Sequence, residues 1–405
     1  MMLNQSRHSR AHFDGILMFL VFALAAFGVL AVSVATFTTA SQPEDTLFNY
    51  IVSSHNGMRQ AIFFFVAFIV VLFIAYFPYE FLRRRAGLFY GLACALLGIT
   101  LVTNGAEGVK AWTDIIWGYT IQPSEFIKLA CIIILAKYLE KDRKPLSTGR
   151  SWGRLIALMA LPWGLTLAQG EMGSVLVMIF IFAIMMYFGG ISWRVIFIVL
   201  ICGFIGIAVL YGVTLATDSD NYRLVRILSF LDPSMDAGAS YQQTNSKIAI
   251  GSGGFLGRGT FVQGSFSQLD YVPEDWTDFI FATIGEAWGF VGSAAVILTY
   301  LLIILRMLYL ARYTTDRFGQ MIIIGVMAMM LFHVFENVGM ATGLMPITGI
   351  PLPFLSYGGS NLVTNMAGIG LVLNAVKNRN LTTMDSLNVN SPYTPQTDAM
   401  RKWSR

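Results

Sequence analysis

Three carboxylates, Glu274, Asp275 and Asp278, stand at the head of "VPEDWTDFIFATIGEAWGFVG" (272–292), directly ahead of a long apolar run. Ionisable groups beside hydrocarbon are costly and normally serve a pathway or a site, so this lip is a place where chemistry or recognition meets lipid headgroups. The plainer alternative for Asp278 is a first-turn carboxylate facing the helix dipole, worth about 0.3–1 kcal/mol. Counting at helical spacing from Asp278, Ala282, Gly285, Gly289 and Gly292 share its face, and the stripe beneath it is nearly free of side chains. Such a stripe either admits a neighbouring helix or leaves room for a ligand. Glu274 and Asp275 lie nearer the water and read as solvated.

A second constellation is "IQPSEFIKLACIIILAKYL" (121–139). Pro123 suits the first helical position and Glu125 the first turn. Lys128, inside an apolar helix and three residues from Glu125, needs a partner or an anionic ligand, and at that spacing the two side chains meet. An ion pair and a binding role both stay open on this evidence. Glu171, in the turn "AQGEMGS", adds a carboxylate at the same depth. On a later span His333, Glu336 and Asn337 share a face; two potential metal ligands fall short of the three a catalytic zinc needs, so an interhelical hydrogen-bond network is expected. The segment "GLMPITGIPLPFLSYGGSN" (343–361), with Ser356, is broken by proline and glycine, and is tolerated at membrane depth only if buried in protein or lining a wet cavity. No GxSxG elbow supports a serine nucleophile.

The elements that must position these groups are membrane spans. The chain has 405 residues, is 56% hydrophobic and 12% charged, and carries apolar runs from end to end, which excludes a soluble globular class. A net charge of +4 reflects loop topology, not nucleic-acid binding. Cys94, Cys131 and Cys202 sit in apolar runs with no disulfide or zinc spacing. The fold class expected is an all-α polytopic bundle of about ten spans, near 15–36, 61–78, 86–103, 123–139, 154–169, 173–189, 193–215, 278–304, 320–342 and 360–376. Residues 1–14 form an N-terminal segment, 15–378 the membrane domain, 216–277 a large extracytoplasmic loop that folds back over the bundle, and 379–405 a polar, disordered tail. About 20 of the 27 Lys and Arg then fall inside, which places both termini in the cytoplasm. The first run exceeds a signal-peptide core and is expected to remain as a helix.

In order along the chain, "GVKAW", "IQPSEFIK", "AQGEMGS", "AIGSGGFLGRG", "VPEDWTDFIF" and "GLMPITGIPLPFLSYGGS" make the sequence resemble the SEDS family of RodA, FtsW and SpoVE proteins over about residues 15–378. "ITGIPLPF" is similar to the RodA branch. The chain departs from the family pattern at Ala111, at "QGEMGS", and at Asn245 and Asn361. The resemblance implies a peptidoglycan glycosyltransferase that polymerises lipid II outside the bacterial cytoplasmic membrane during elongation. It implies Asp278 as general base for the attacking sugar hydroxyl, and positive charge for the departing pyrophosphate from Lys128 with Lys110 or Arg258. Glu125 and Glu171 would orient these cations or hold a divalent ion, with Trp112 at the substrate and Glu274, His333, Asn337 and Ser356 in support. No metal ligand set is assigned and no cofactor is certain, a divalent cation being the one candidate. A class B penicillin-binding protein and other elongation proteins are the implied partners. A lipid II flippase, a secondary transporter and a non-catalytic scaffold are the rival classes, and the transporter suffers because the carboxylates cluster at the outer lip.

Overall fold

Polar residues at the ends of apolar runs decide where the helices start. Asp14 accepts the backbone N–H of Leu17 at 2.8 Å, Ser54 that of Gly57 at 3.1 Å and Asp316 that of Gly319 at 3.0 Å, each satisfying an orphan donor of a first turn. The computed structural model describes residues 13–37, 46–102, 113–116, 119–140, 149–192, 194 and 237–378. The helices are α1 (Gly15–Ala35), α2 (Leu47–Ser53), α3 (His55–Tyr76), α4 (Tyr79–Arg84), α5 (Ala86–Val102), α6 (Pro123–Glu140), α7 (Gly149–Gln169), α8 (Met172–Phe188), α9 (Ala237–Ser252), α10 (Ile280–Tyr313), α11 (Arg317–Thr342) and α12 (Gly359–Lys377). A two-stranded antiparallel hairpin, β1 (Thr113–Ile116) and β2 (Tyr119–Ile121), leads into α6, with Thr113 opposite Ile121. It is a small addition to an otherwise helical architecture.

The helix α11 lies at the centre, against α6, α8, α10 and α12, and 72% of its most apolar stretch is buried. By contrast α3 is 22% buried and turns Phe65, Phe68 and Phe73 outward. Such a face is suited to lipid and would be an aggregation liability in water. Among the described residues α1, α3, α10 and α11 are long and apolar enough to cross a membrane, and α5 and α8 are shorter apolar helices. The chain is a multi-pass membrane protein. Of the ten expected spans, nine coincide with helices, and the one at 193–215 lies outside the described residues, as do the N-terminal segment to residue 12 and the tail from 379.

Three helices depart most from expectation: α3, α10, and α7, which begins at Gly149 instead of 154. Helix α3 begins at His55 instead of 61, because the Ser54 cap carries the helix through the polar "HNGMRQ". The eighth expected span becomes α10, 34 residues long and broken at Gly289, which adopts φ 62° and ψ −157°. A Cβ at Gly289 would lie 2.3 Å from the backbone nitrogen of Gly257, so only glycine permits both this conformation and this approach. The side-chain-poor stripe is therefore filled at Gly285 by Ile250 of α9 and at Gly289 by the backbone following α9, and the ligand groove that the spacing allowed is absent at those positions. Within the stretch expected as a long loop, α9 packs on α10 and α11, and Ser246 donates to the carbonyl of Ala341 at 2.8 Å.

Candidate active site

Asp278 sits two residues ahead of α10 instead of in its first turn. The turn that carries it is closed by Thr277 and Phe279, whose N–H groups both donate to the carbonyl of Glu274, at 3.2 and 3.0 Å. Glu274 holds a positive φ of 59°, is exposed, and accepts the Thr277 hydroxyl at 2.7 Å. Three consecutive carbonyls of the turn are then bound from outside it. Tyr357 N–H donates to Trp276 at 2.8 Å, Ser356 Oγ to Thr277 at 2.6 Å and Asn337 Nδ2 to Asp278 at 2.7 Å. The backbone under Asp278 is thus fixed by α11 and by the segment between α11 and α12, while the Asp278 side chain stays half-buried. A Cβ on Gly349, whose φ is +71°, would stand 3.3 Å from Asp278 Oδ2.

The intervening segment is buried as its composition requires: Ile350, Leu352, Phe354, Leu355 and Ser356 are at most 3% exposed. Its backbone groups find protein partners. Asn337 Nδ2 donates to Ile350 O at 2.8 Å, Leu352 N–H to Ser356 Oγ at 2.7 Å, and Gln60 of α3 binds Ser356 O and Gly358 N–H at 3.1 and 3.3 Å. Tyr300 donates its hydroxyl to Pro353 O. Asn337 and Ser356 are in this way scaffolding for Asp278.

Beneath this segment, Lys128 Nζ meets Glu125 Oε1 at 2.7 Å and His333 Nε2 at 3.2 Å. Lys128 is 1% exposed, Glu125 2% and His333 0%. An ammonium has no acceptor, so His333 Nε2 accepts, and the ring proton belongs on Nδ1. Asn361, at the start of α12, donates to Glu125 Oε2 at 3.4 Å. One turn along α11 from His333, Glu336 accepts the Thr348 hydroxyl at 2.9 Å, next to Gly349. The expected network on the ninth span is therefore present, and it links the Glu125–Lys128 pair to the segment beside Asp278.

Glu171 accepts from Gln122 at 2.7 Å and from Ser174 at 3.0 Å, which ties the α7–α8 turn to the start of α6. Arg258 turns to Glu286 on α10, Nη1 to Oε1 at 3.3 Å. Lys110 and Trp112 lie outside the described residues. Asp275 corrects the solvated reading: it is 1% exposed, because the 265–267 stretch folds over it and Thr283 faces its carboxyl at 3.4 Å. Burial pushes its carboxyl well above the usual carboxylate range. Among the described residues no group of three or more His, Cys, Asp or Glu side chains is placed to hold a metal ion.

A base candidate on a fixed turn, above a sealed ion pair, in a multi-pass helical bundle, invites comparison with proteins of known family. The model for FtsW, RodA and SpoVE, described as "Cell cycle protein", matches residues 15–381. The chain belongs to this family. It is 35% identical over 296 residues to the peptidoglycan glycosyltransferase MrdB of Escherichia coli K12, covering 72% of this chain and 77% of the relative. To the stage V sporulation protein E of Bacillus subtilis it is 32% identical over 369 residues, covering 89% and 96%. Among solved structures, a chain described under the coordination of polymerization and crosslinking by a peptidoglycan synthase complex aligns with a TM-score of 0.71 at 27% identity, covering 91% of this chain and 98% of that one. The rod shape determining protein RodA of Thermus thermophilus aligns at 0.64 and 26%, covering 91% and 97%.

Within this FtsW, RodA and SpoVE member, four site residues escaped the sequence reading as participants: Gln122, Gln60, Thr348 and Glu286. Gln122 is part of a motif already singled out, and Gln60 is a polar residue in an apolar helix, fully buried. Glu286 is the clearest miss. An ionisable side chain within an apolar helix is a site candidate by default, and its place in the sequence alone is the signal that marks it.

Proposed function

We propose that this chain is a peptidoglycan glycosyltransferase polymerising lipid II into glycan strands during cell elongation, at the extracytoplasmic face of the bacterial cytoplasmic membrane. The observation that carries the mechanism is Asp278, a half-buried carboxylate on a turn whose three carbonyls are pinned by Tyr357, Ser356 and Asn337. The support for the substrate is membership in a family whose relatives are named peptidoglycan glycosyltransferases. A hydroxyl oxygen of one saccharide forms a bond to the anomeric carbon of the next. The bond from that carbon to the lipid pyrophosphate breaks, with its electron pair leaving on the pyrophosphate, and Asp278 takes the hydroxyl proton.

Lys128 supports this site from below. It is sealed and engaged by Glu125 and His333, which join α6 to α11, instead of clasping the leaving group. Contact with the pyrophosphate falls to Lys110, Trp112 and Arg258. Glu125 and Glu171 take protein donors, so neither is assigned to a divalent cation here. The bias of Lys and Arg places both termini in the cytoplasm. A class B penicillin-binding protein is the partner we assign to the lipid-facing helices, in line with the synthase-complex chain this protein resembles.

The test is polymer formation from purified lipid II by purified protein, alone and with its transpeptidase. Asp278→Asn, nearly isosteric and unable to accept the proton, is expected to lower turnover at least about a hundredfold while lipid II still binds. Normal polymerisation by Asp278→Asn would end the base assignment.

A further inference from the structure

Glu286 is a buried carboxylate to which the mechanism so far gives no task. It is 2% exposed on α10, within a helix that is otherwise apolar around it. Its two oxygens take an unusual number of donors from one distant stretch: Phe266 N–H at 2.7 Å and Arg258 Nη1 at 3.3 Å on Oε1, Ser267 N–H at 3.2 Å and Ser267 Oγ at 3.3 Å on Oε2. The carbonyls of Glu286 and Ala287 add the N–H groups of Arg258 and Gly259, at 2.9 and 3.0 Å. The pattern is a carboxylate filling both ends of the 258–267 loop with charge-assisted bonds, which are about twice as strong as neutral ones.

The network does not stop at the loop. Ser267 Oγ lies 3.0 Å from Thr283 Oγ1, and Thr283 Oγ1 faces Asp275 at 3.3 Å to its carbonyl and 3.4 Å to Oδ2. Asp275 belongs to the turn that ends in Asp278. Glu286 is thus joined through Ser267 and Thr283 to the far side of that turn, opposite the carbonyls held by Tyr357, Ser356 and Asn337.

We propose that Glu286 is a positioning residue for Asp278, acting through the Ser267–Thr283 hydroxyl pair on the Asp275 end of the turn. The inference rests on the glycosyltransferase reading above. Its consequence is directional: cutting the relay displaces the base, and a displacement of about 1 Å lowers turnover on the order of a hundredfold without removing substrate contacts.

Lipid II polymerisation by the purified full chain, with kcat and KM determined separately, tests this with two variants of one residue. Thr283→Val keeps the shape of the side chain and removes the hydroxyl, whereas Thr283→Ser keeps the hydroxyl and removes the methyl. Thr283→Val is expected to lower kcat about 10- to 100-fold with KM within about twofold, Glu286→Gln, which also loosens Arg258, to lower kcat at least as much, and Thr283→Ser to keep most of the wild-type kcat. Hydrogen exchange at 265–279 is read in parallel and is expected to accelerate in Thr283→Val and not in Thr283→Ser. Equal loss in Val and Ser would assign the effect to methyl packing, and full kcat in Val and Gln would show that the relay does nothing; either overturns the proposal. A wild-type chain unable to polymerise lipid II, with or without its transpeptidase, would instead sink the glycosyltransferase reading, and the exchange data would still report whether the relay orders the turn.

Discussion

Removing one partner of the Glu125–Lys128 pair should cost far more than removing both. At 2.7 Å the Coulomb attraction of the pair is about 6 kcal/mol for an effective dielectric constant of about 20, and most of it offsets the desolvation of two groups that are 2% and 1% exposed. Lys128→Met leaves Glu125, among the described residues, with the neutral amide of Asn361 at 3.4 Å, an anion without a countercharge among apolar helices. The expected loss is about 3–5 kcal/mol. Glu125→Gln strands the ammonium beside His333 and should cost a similar amount. The double variant Glu125→Gln/Lys128→Met removes both charges and should recover to within about 2 kcal/mol of wild type. Chemical or thermal unfolding of the purified protein in one detergent, as a double-mutant cycle, measures this directly. If Lys128→Met is as stable as wild type, or the double variant no better than the worse single, then the pair is not a sealed ion pair and the reasoning fails. Lipid II polymerisation by the stable double variant then separates support from chemistry, and substantial turnover is expected from it because the pair acts beneath the segment flanking Asp278.

Gly349→Ala should destabilise by about 1–2 kcal/mol, since φ is +71°, and its methyl, 3.3 Å from Asp278 Oδ2, should lower turnover about tenfold by shifting that carboxylate; unaltered kcat would contradict the placement of the base. Asp275 gives a pH signature. Burial, ahead of the opposing hydrogen bond from Ser267, raises its carboxyl above the unfolded value, so the folded state binds the extra proton. Its contribution to stability is present at low pH and is lost as pH rises toward the raised value, with a slope of at most about 1.4 kcal/mol per unit. Asp275→Asn should therefore gain on wild type in melting temperature as pH rises above the ordinary carboxylate range, and a gap that is constant with pH would exclude a buried titrating acid.

How much of this was legible beforehand follows from the range of the interactions involved. Apolar runs of membrane-spanning length and the polar residues that cap them act locally, so nine expected spans coincide with helices. The i,i+3 spacing of Glu125 and Lys128 likewise dictated their meeting, whatever surrounded them. What tertiary structure alone decided is how segments far apart in the chain are shared. Nothing near Asp275 foretells that 265–267 will cover it, nor does "AIGSGGFLGRG" announce that its backbone fills the glycine stripe of α10. The turn of Asp278 is held by Asn337 and Ser356, separated from it in sequence by one and by two complete helices, and Arg258 finds Glu286 across 28 residues. Local patterns state which groups are costly to leave unpaired; only the packed bundle chooses their partners, because hydrogen-bond geometry depends on positions that no periodicity encodes.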